Sequence, residues 1–143
     1  MIAIYQKPYN ERQTITNVYW GVRNQDRILG RNLMKYNHLG IPTSSHFDGE
    51  IDLPHLKMTV SDHTNNLFGI QWQRYWENAP YPDLVKTIPH IAFEVDDIKV
   101  ALEGQKVIIQ PNSPSKGLVV AFIEVNGAPI ELMQYDEVLR DDK

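Results

Sequence analysis

From Pro89 to Val95 apolar and polar side chains alternate, so that His90, Ala92 and Glu94 fall on one face of a strand and Ile91, Phe93 and Val95 on the other. One face is apolar; the other carries groups able to do chemistry. Asp96 and Asp97 can cap a helix over IKVALEG, in which Ile98, Ala101 and Leu102 recur at helical spacing and Gly104 supplies the stop. That helix is only about two turns long. KVIIQ then reads as a buried strand, PNSPSKG as a loop and LVVAFIEV as a further strand. APIELMQY returns antiparallel across Asn126-Gly127, a two-residue turn that demands positive φ. Ile88 to Tyr135 is thus one complete βαβββ unit.

A two-residue turn also fixes the register. Val125 faces Ala128, Phe122 faces Glu131 and Val120 faces Met133, while Ala121, Ile123, Ile130 and Leu132 share the opposite face. Glu131 is therefore set among Phe122, Val120 and Met133. An unpartnered carboxylate there would be costly and its pKa would rise, so the pattern calls for a cation or a hydrogen-bond donor beside it.

The chain from Lys35 echoes this unit. His38 precedes the apolar-small-apolar run of HLGI as His90 precedes that of HIAF, and GIQWQRY parallels PIELMQY, matching Gln71 with Glu131 and Tyr75 with Tyr135. The intervals are 71 − 38 = 33 and 131 − 90 = 41, so the first copy is eight residues shorter, about the length of the helix. SSHFDGEIDLP between them is rich in turn formers without helical periodicity, and HLKMTVS and LFGIQWQRY read as strands joined through DHTNN. The first copy is predicted to have lost its helix, and YWENAPYPDLVKT reads as a connector. In residues 1–34, TITNVYWGV alternates like an edge strand and DRILGRNLMK is patterned like a helix capped at Asp26.

If the copies pair about a pseudo-twofold axis, His38 and His90 arrive from equivalent first strands, and Gln71 and Glu131 from equivalent last strands. Two imidazoles, a carboxylate and an amide suit Zn, Ni, Co, Fe or Mn with positions left open. Each residue also has a plainer role: a strand-face histidine is commonly just hydrogen-bonded, and Gln71 could orient a histidine or a ligand. Tyr75, Phe122, Met133 and Tyr135 are candidates for lining a pocket on that face, with core packing as the alternative. Glu94, on the face of His90, is a candidate partner for it or simply the polar end of its strand. His46, His55 and His63 read as surface residues, His55 within reach of the rim.

Composition narrows the classes. A chain of 143 residues accommodates one domain or two small fused modules, and 42% hydrophobic content with seven Tyr, four Phe and three Trp indicates a folded core. The net charge of −4, without a basic run, argues against nucleic-acid binding. No signal-like or membrane-spanning run occurs, so a soluble, cytoplasmic protein is expected. Without cysteine there is no disulfide, thiolate nucleophile or thiolate zinc site. Nucleophile-elbow, phosphate-loop and H-E-x-x-H motifs are also absent.

VAFIEVNGAPIELMQY resembles the closing hairpin, and HIAFEVDDI the first strand and helix cap, of the glyoxalase, bleomycin-resistance and extradiol-dioxygenase superfamily, also called the vicinal oxygen chelate superfamily. The resemblance spans roughly residues 35–136. It implies an α+β fold of two βαβββ modules, 35–76 with its helix reduced or lost and 88–135, forming a cup of mostly antiparallel strands. Residues 1–34 become an extension packing on the domain or a partner, and 137–143 a tail. It also implies a divalent metal held by His38, Gln71, His90 and Glu131, with Glu131 catalytic as ligand and proton-transfer base. Gln71 departs from the family pattern, where an acid or histidine is commoner. The expected activity is that of a lyase or isomerase on a small oxygenated molecule, in a homodimer. Two alternatives remain: an extradiol-type dioxygenase using His38, His90 and Glu131 alone, and a metal-free module that sequesters drugs or senses small effectors.

Overall fold

The alternation around His90 is realised as the middle of an eight-stranded sheet. The computed structural model describes residues 34–136; the expectations for residues 1–33 and 137–143 lie outside them. The strands are β1 (Lys35–Pro42), β2 (Ile51–Leu53), β3 (Met58–Val60), β4 (Ile70–Tyr75), β5 (His90–Glu94), β6 (Lys106–Ser115), β7 (Leu118–Val125) and β8 (Ala128–Tyr135). Their order across the sheet is β2-β3-β4-β1-β5-β8-β7-β6. Half of the structure is strand, and the sheet is curled, so sheet and not helix positions the chemistry. The described helices are short, α1 (Asp83–Thr87) and α2 (Ile98–Ala101), and none is long and apolar enough to cross a membrane.

The four central strands set the frame. β1 and β5 pair antiparallel, β4 runs parallel to β1, and β8 runs parallel to β5. Their register makes two neighbouring rows: Gln71, Gly40 and His90 in one, and His38, Ala92 and Glu131 in the next. In each row the smallest residue stands between two functional ones. Gly40 and fully buried Ala92 thereby leave room for the longer side chains to meet above them.

Patterning explains the local structure of the second half. Asn126 and Gly127 take φ of 50° and 80°, as a two-residue turn between twisted strands requires, and Val125 pairs with Ala128, Phe122 with Glu131 and Val120 with Met133. Asp97 caps α2 by accepting hydrogen bonds from the backbone N–H groups of Lys99 and Val100. Ile98 and Ala101 of α2 pack with Val95, Ala121, Ile123 and Leu132, which form the core on the far side of the sheet from Glu131.

Several expectations change: KVIIQ has no buried residue, the helix after Asp97 is one turn and not two, and Leu67 to Gly69 precede the strand that begins at Ile70. PNSPSKG is not a loop: β6 continues to Ser115, and only Lys116 and Gly117 turn. As an edge strand with three register shifts against β7, β6 tolerates Pro111 and Pro114, whose missing N–H groups fall where the ladder is interrupted. The connector contains α1, anchored by fully buried Val85. HLK of HLKMTVS is not strand, because Pro54 starts a 3-10 turn over Pro54–Leu56 and β3 begins only at Met58. Between β1 and β4 the described helical structure is limited to that turn and a second one at His63–Asn65.

Candidate metal centre and cavity

The curled sheet bounds a cavity of about 380 Å³ whose lining includes Met58, Val60, Leu118, Val120, Phe122 and Met133 together with polar side chains. That size suits a small organic ligand. Tyr75, Phe122, Met133 and Tyr135 all line it, together with His38, Gln71 and Glu131.

His38, His90 and Glu131 come together, each buried, with one potential ligand atom apiece inside a 4.8 Å span. Nε2 of His38 lies 3.3 Å and Nε2 of His90 3.2 Å from the same oxygen, Oε2 of Glu131. Donors of a four-coordinate ion with bonds of about 2.0–2.1 Å stand about 3.3 Å apart, so these separations fit such an ion. Burial pushes the Glu131 carboxyl up, but hydrogen bonds and charge from His38 and His90 outweigh it and bring its pKa to about 2.

The state of His38 follows from a chain of contacts behind it. Glu94 accepts a hydrogen bond from the Asn37 amide nitrogen at 2.8 Å, and a carboxylate can only accept, so the Asn37 carbonyl oxygen is turned to Nδ1 of His38 at 2.7 Å. Nδ1 therefore carries the proton. In the neutral ring Nε2 then presents a lone pair, buried and without a hydrogen-bond partner, to a carboxylate oxygen. Two acceptors at 3.3 Å are stable together only with a positive charge between them, supplied by a proton or a metal ion. Glu94 thus supports His38 through Asn37, whereas sequence reading paired it with His90.

His90 is held differently. Its ring lies over the α-carbon of Gly40, edge-on to Phe122 at 5.0 Å between ring centres, and its Nδ1 is buried with no partner. Packing, not a hydrogen bond, fixes this imidazole.

Gln71 also lines the cavity, but its carbonyl is engaged by a neighbour on its own strand. Tyr75 donates its hydroxyl to the Gln73 carbonyl at 2.9 Å, and the Gln73 amide donates to the Gln71 carbonyl at 2.8 Å. Burial, then the charge of Glu131, push the Tyr75 phenol up, so it keeps its proton; Tyr81 shifts the same way for the same two causes.

His63, expected at the surface, instead lines the cavity with its ring centre 5.0 Å from that of His38. Burial, then the neighbouring His38, lower its pKa. Asp62 holds this turn by accepting hydrogen bonds from the backbone N–H and hydroxyl of Thr64. The local signal was Asp62 followed by Thr64, which fixes a turn but does not say which way His63 points. His55 reaches the rim, as anticipated, with Nε2 3.1 Å from the Pro114 carbonyl. His46 is exposed and pairs with Glu50 at 2.9 Å.

Neither a family model nor a curated protein matches the chain. Among solved structures it is similar to the hypothetical protein BH1468 from Bacillus halodurans C-125, with a TM-score of 0.51 at 20% identity over 73% of this chain and 96% of that one. At that identity the likeness is one of fold, a curled sheet shared by the two proteins.

Proposed function

We propose that the protein is a glyoxalase-related member of the vicinal oxygen chelate superfamily, a divalent-metal-dependent lyase or isomerase acting on a small oxygenated molecule. On this reading the two halves of the sheet are βαβββ modules, the first without its helix. The observation that carries it is the convergence of Nε2 of His38 and Nε2 of His90 on one carboxylate oxygen of Glu131, with Nδ1 of His38 held by Asn37, beside a cavity of about 380 Å³ that His38 and Glu131 line. Such a donor set favours a cation and binds it with borderline nitrogen and hard oxygen ligands.

His38, His90 and Glu131 would hold the ion, which when bound supplies Lewis-acid stabilisation of negative charge developing on substrate oxygens. Asn37 keeps His38 in the tautomer that offers Nε2. Glu131 remains anionic through the physiological range, in the form needed to accept a proton from substrate. Tyr75 and Tyr81 keep their protons and serve as hydrogen-bond donors. The apolar walls limit water around the reacting group.

Metal analysis of protein purified without chelator or affinity-tag metal tests this. Stoichiometric metal that is lost in His90→Ala is expected; metal-free wild type that takes up none of the five candidate ions would overturn it. One observation favours a second reading, a metal-free binding module: the Gln71 carbonyl is already occupied by Gln73 and most of the named cavity wall is apolar. That reading expects apolar ligands to raise the melting temperature of metal-free protein.

A further inference from the structure

We propose that Gln71 reads the ligand as a hydrogen-bond donor to a carbonyl-type oxygen, and that the cavity therefore selects small carboxylic acids carrying a second oxygen over alcohols of the same length. This deepens the reading above by taking the cavity as a ligand site, and assigns Gln71 to the ligand instead of to the metal.

The assignment follows from the direction of the hydrogen bonds along β4. Tyr75 has a proton to give, and the acceptor it meets is the carbonyl of Gln73. Reversing the relay, with the Gln73 amide donating to the phenol oxygen, would leave that O–H without a partner, the more costly arrangement for a buried donor. With the Gln73 carbonyl committed to Tyr75, its amide donates to the Gln71 carbonyl. Gln73 is 4% exposed and bridges Tyr75 and Gln71, so it fixes this direction.

Gln71 is consequently held by its oxygen, and its NH2 group has no acceptor among the described residues although the side chain lines the cavity. It stands in the row of His90, across Gly40, and lines the same cavity as His38 and Glu131. An oxygen bound at His38, His90 and Glu131 would have Gln71 as the neighbouring donor. A second oxygen on the adjacent carbon suits it, and a carboxylate carbon bearing an alpha hydroxyl or oxo group provides that pair. The remainder of the ligand would run against Met58, Val60, Val120 and Met133.

The probes are 2-hydroxy and 2-oxo acids and the straight-chain alcohols of matching length, titrated calorimetrically into metal-treated protein. Wild type is expected to prefer the acids by about tenfold, the worth of one hydrogen bond to a charged oxygen. Gln71→Leu should lose about tenfold of the preference for acids, and Gln73→Leu, a positioning variant, should lose part of it. A merely structural role would weaken both classes together and leave their ratio unchanged. In wild type already loaded with Zn, the side-chain amide resonances of Gln71 should shift further in nitrogen-15 spectra on adding acid, a readout that needs no variant to fold. An unchanged ratio in Gln71→Leu, no acid binding by wild type, or no Gln71 shift on adding acid would each overturn the proposal. Metal loading without acid preference sinks this inference alone, whereas acid preference without metal sinks the metal reading and leaves this one standing.

Discussion

Replacing Gly40 by alanine sets two physical effects against each other. Gly40 is in mid-strand and does not have positive φ, so alanine fits its backbone, and restricting the unfolded chain should stabilise the fold by about 0.4–1 kcal/mol. A β-carbon there, however, would overlap Cε1 and Nε2 of His90 and stand 2.8 Å from Nδ1. The ring is 1% exposed and backed by Phe122, so it cannot swing away without disturbing the core. Overpacking of this kind costs about 1–3 kcal/mol. Displacing Nε2 from its 3.2 Å contact with Glu131 removes one of two partners of a buried carboxylate, worth about 1.5–3 kcal/mol more. The net expectation is a loss of about 2–5 kcal/mol, the clash outweighing the backbone gain.

Urea unfolding of metal-free protein measures that loss, and a double-mutant cycle isolates its cause. In a His90→Ala background the ring is gone, and Gly40→Ala should become neutral or stabilising. If Gly40→Ala is harmless in wild type, or costs as much without the imidazole as with it, the account of how His90 is positioned is wrong. The same variant should weaken metal binding at least tenfold, because one of three ligands no longer points at the others.

Asn37→Leu frees the His38 tautomer while leaving the ring in place, and should lower metal affinity by about 10–100-fold in competition titrations. Acid unfolding should show the depressed carboxyl of Glu131. Its folded pKa of about 2 lies below the ordinary 4.5, so its stabilising contribution is present in full above about pH 4.5 and shrinks as pH falls toward 2. Glu131→Gln should flatten that limb of the urea midpoint against pH, and an unchanged slope would count against the imidazole contacts. For His63 the folded pKa is lowered, so the unfolded chain binds more protons and stability falls as pH drops below about 6.5. His63→Gln should remove part of that decline.

What could be read from sequence was whatever depended on strand alternation and one well-marked turn. Asn126-Gly127 fixes the β7–β8 register, and that register alone sets Glu131 opposite Phe122 and away from the Leu132 core. The two-copy echo put His38 on the same face as His90. By contrast, β6 ran through two prolines because an edge strand has no ladder partner on its outer side, a circumstance invisible without the order of strands. His63 was misplaced for a related reason: a residue on a turn has no periodicity to report its direction, and its approach to His38 depends on how β3 and β4 are joined.

The pairings of β1 with β4 and of β5 with β8 explain why small residues matter as much as the ligands themselves. A flat row of four adjacent strands keeps opposed side chains about 5 Å apart, too far for imidazole and carboxylate donors to share one ion unless they converge above the sheet. Convergence needs an empty place beneath. Gly40 provides it under His90, and Ala92 provides it between His38 and Glu131. A larger side chain at position 92 would therefore be expected to separate His38 from Glu131 in the way that a β-carbon at position 40 displaces His90. Ala92 also packs on Val120 and Met133 of the β7–β8 hairpin, so Ala92→Val should lower metal affinity while leaving the turn end of that hairpin, residues 123–130, protected in amide hydrogen exchange. Uniform loss of protection through β7 and β8 would show instead that Ala92 serves the core and not the convergence of the donors.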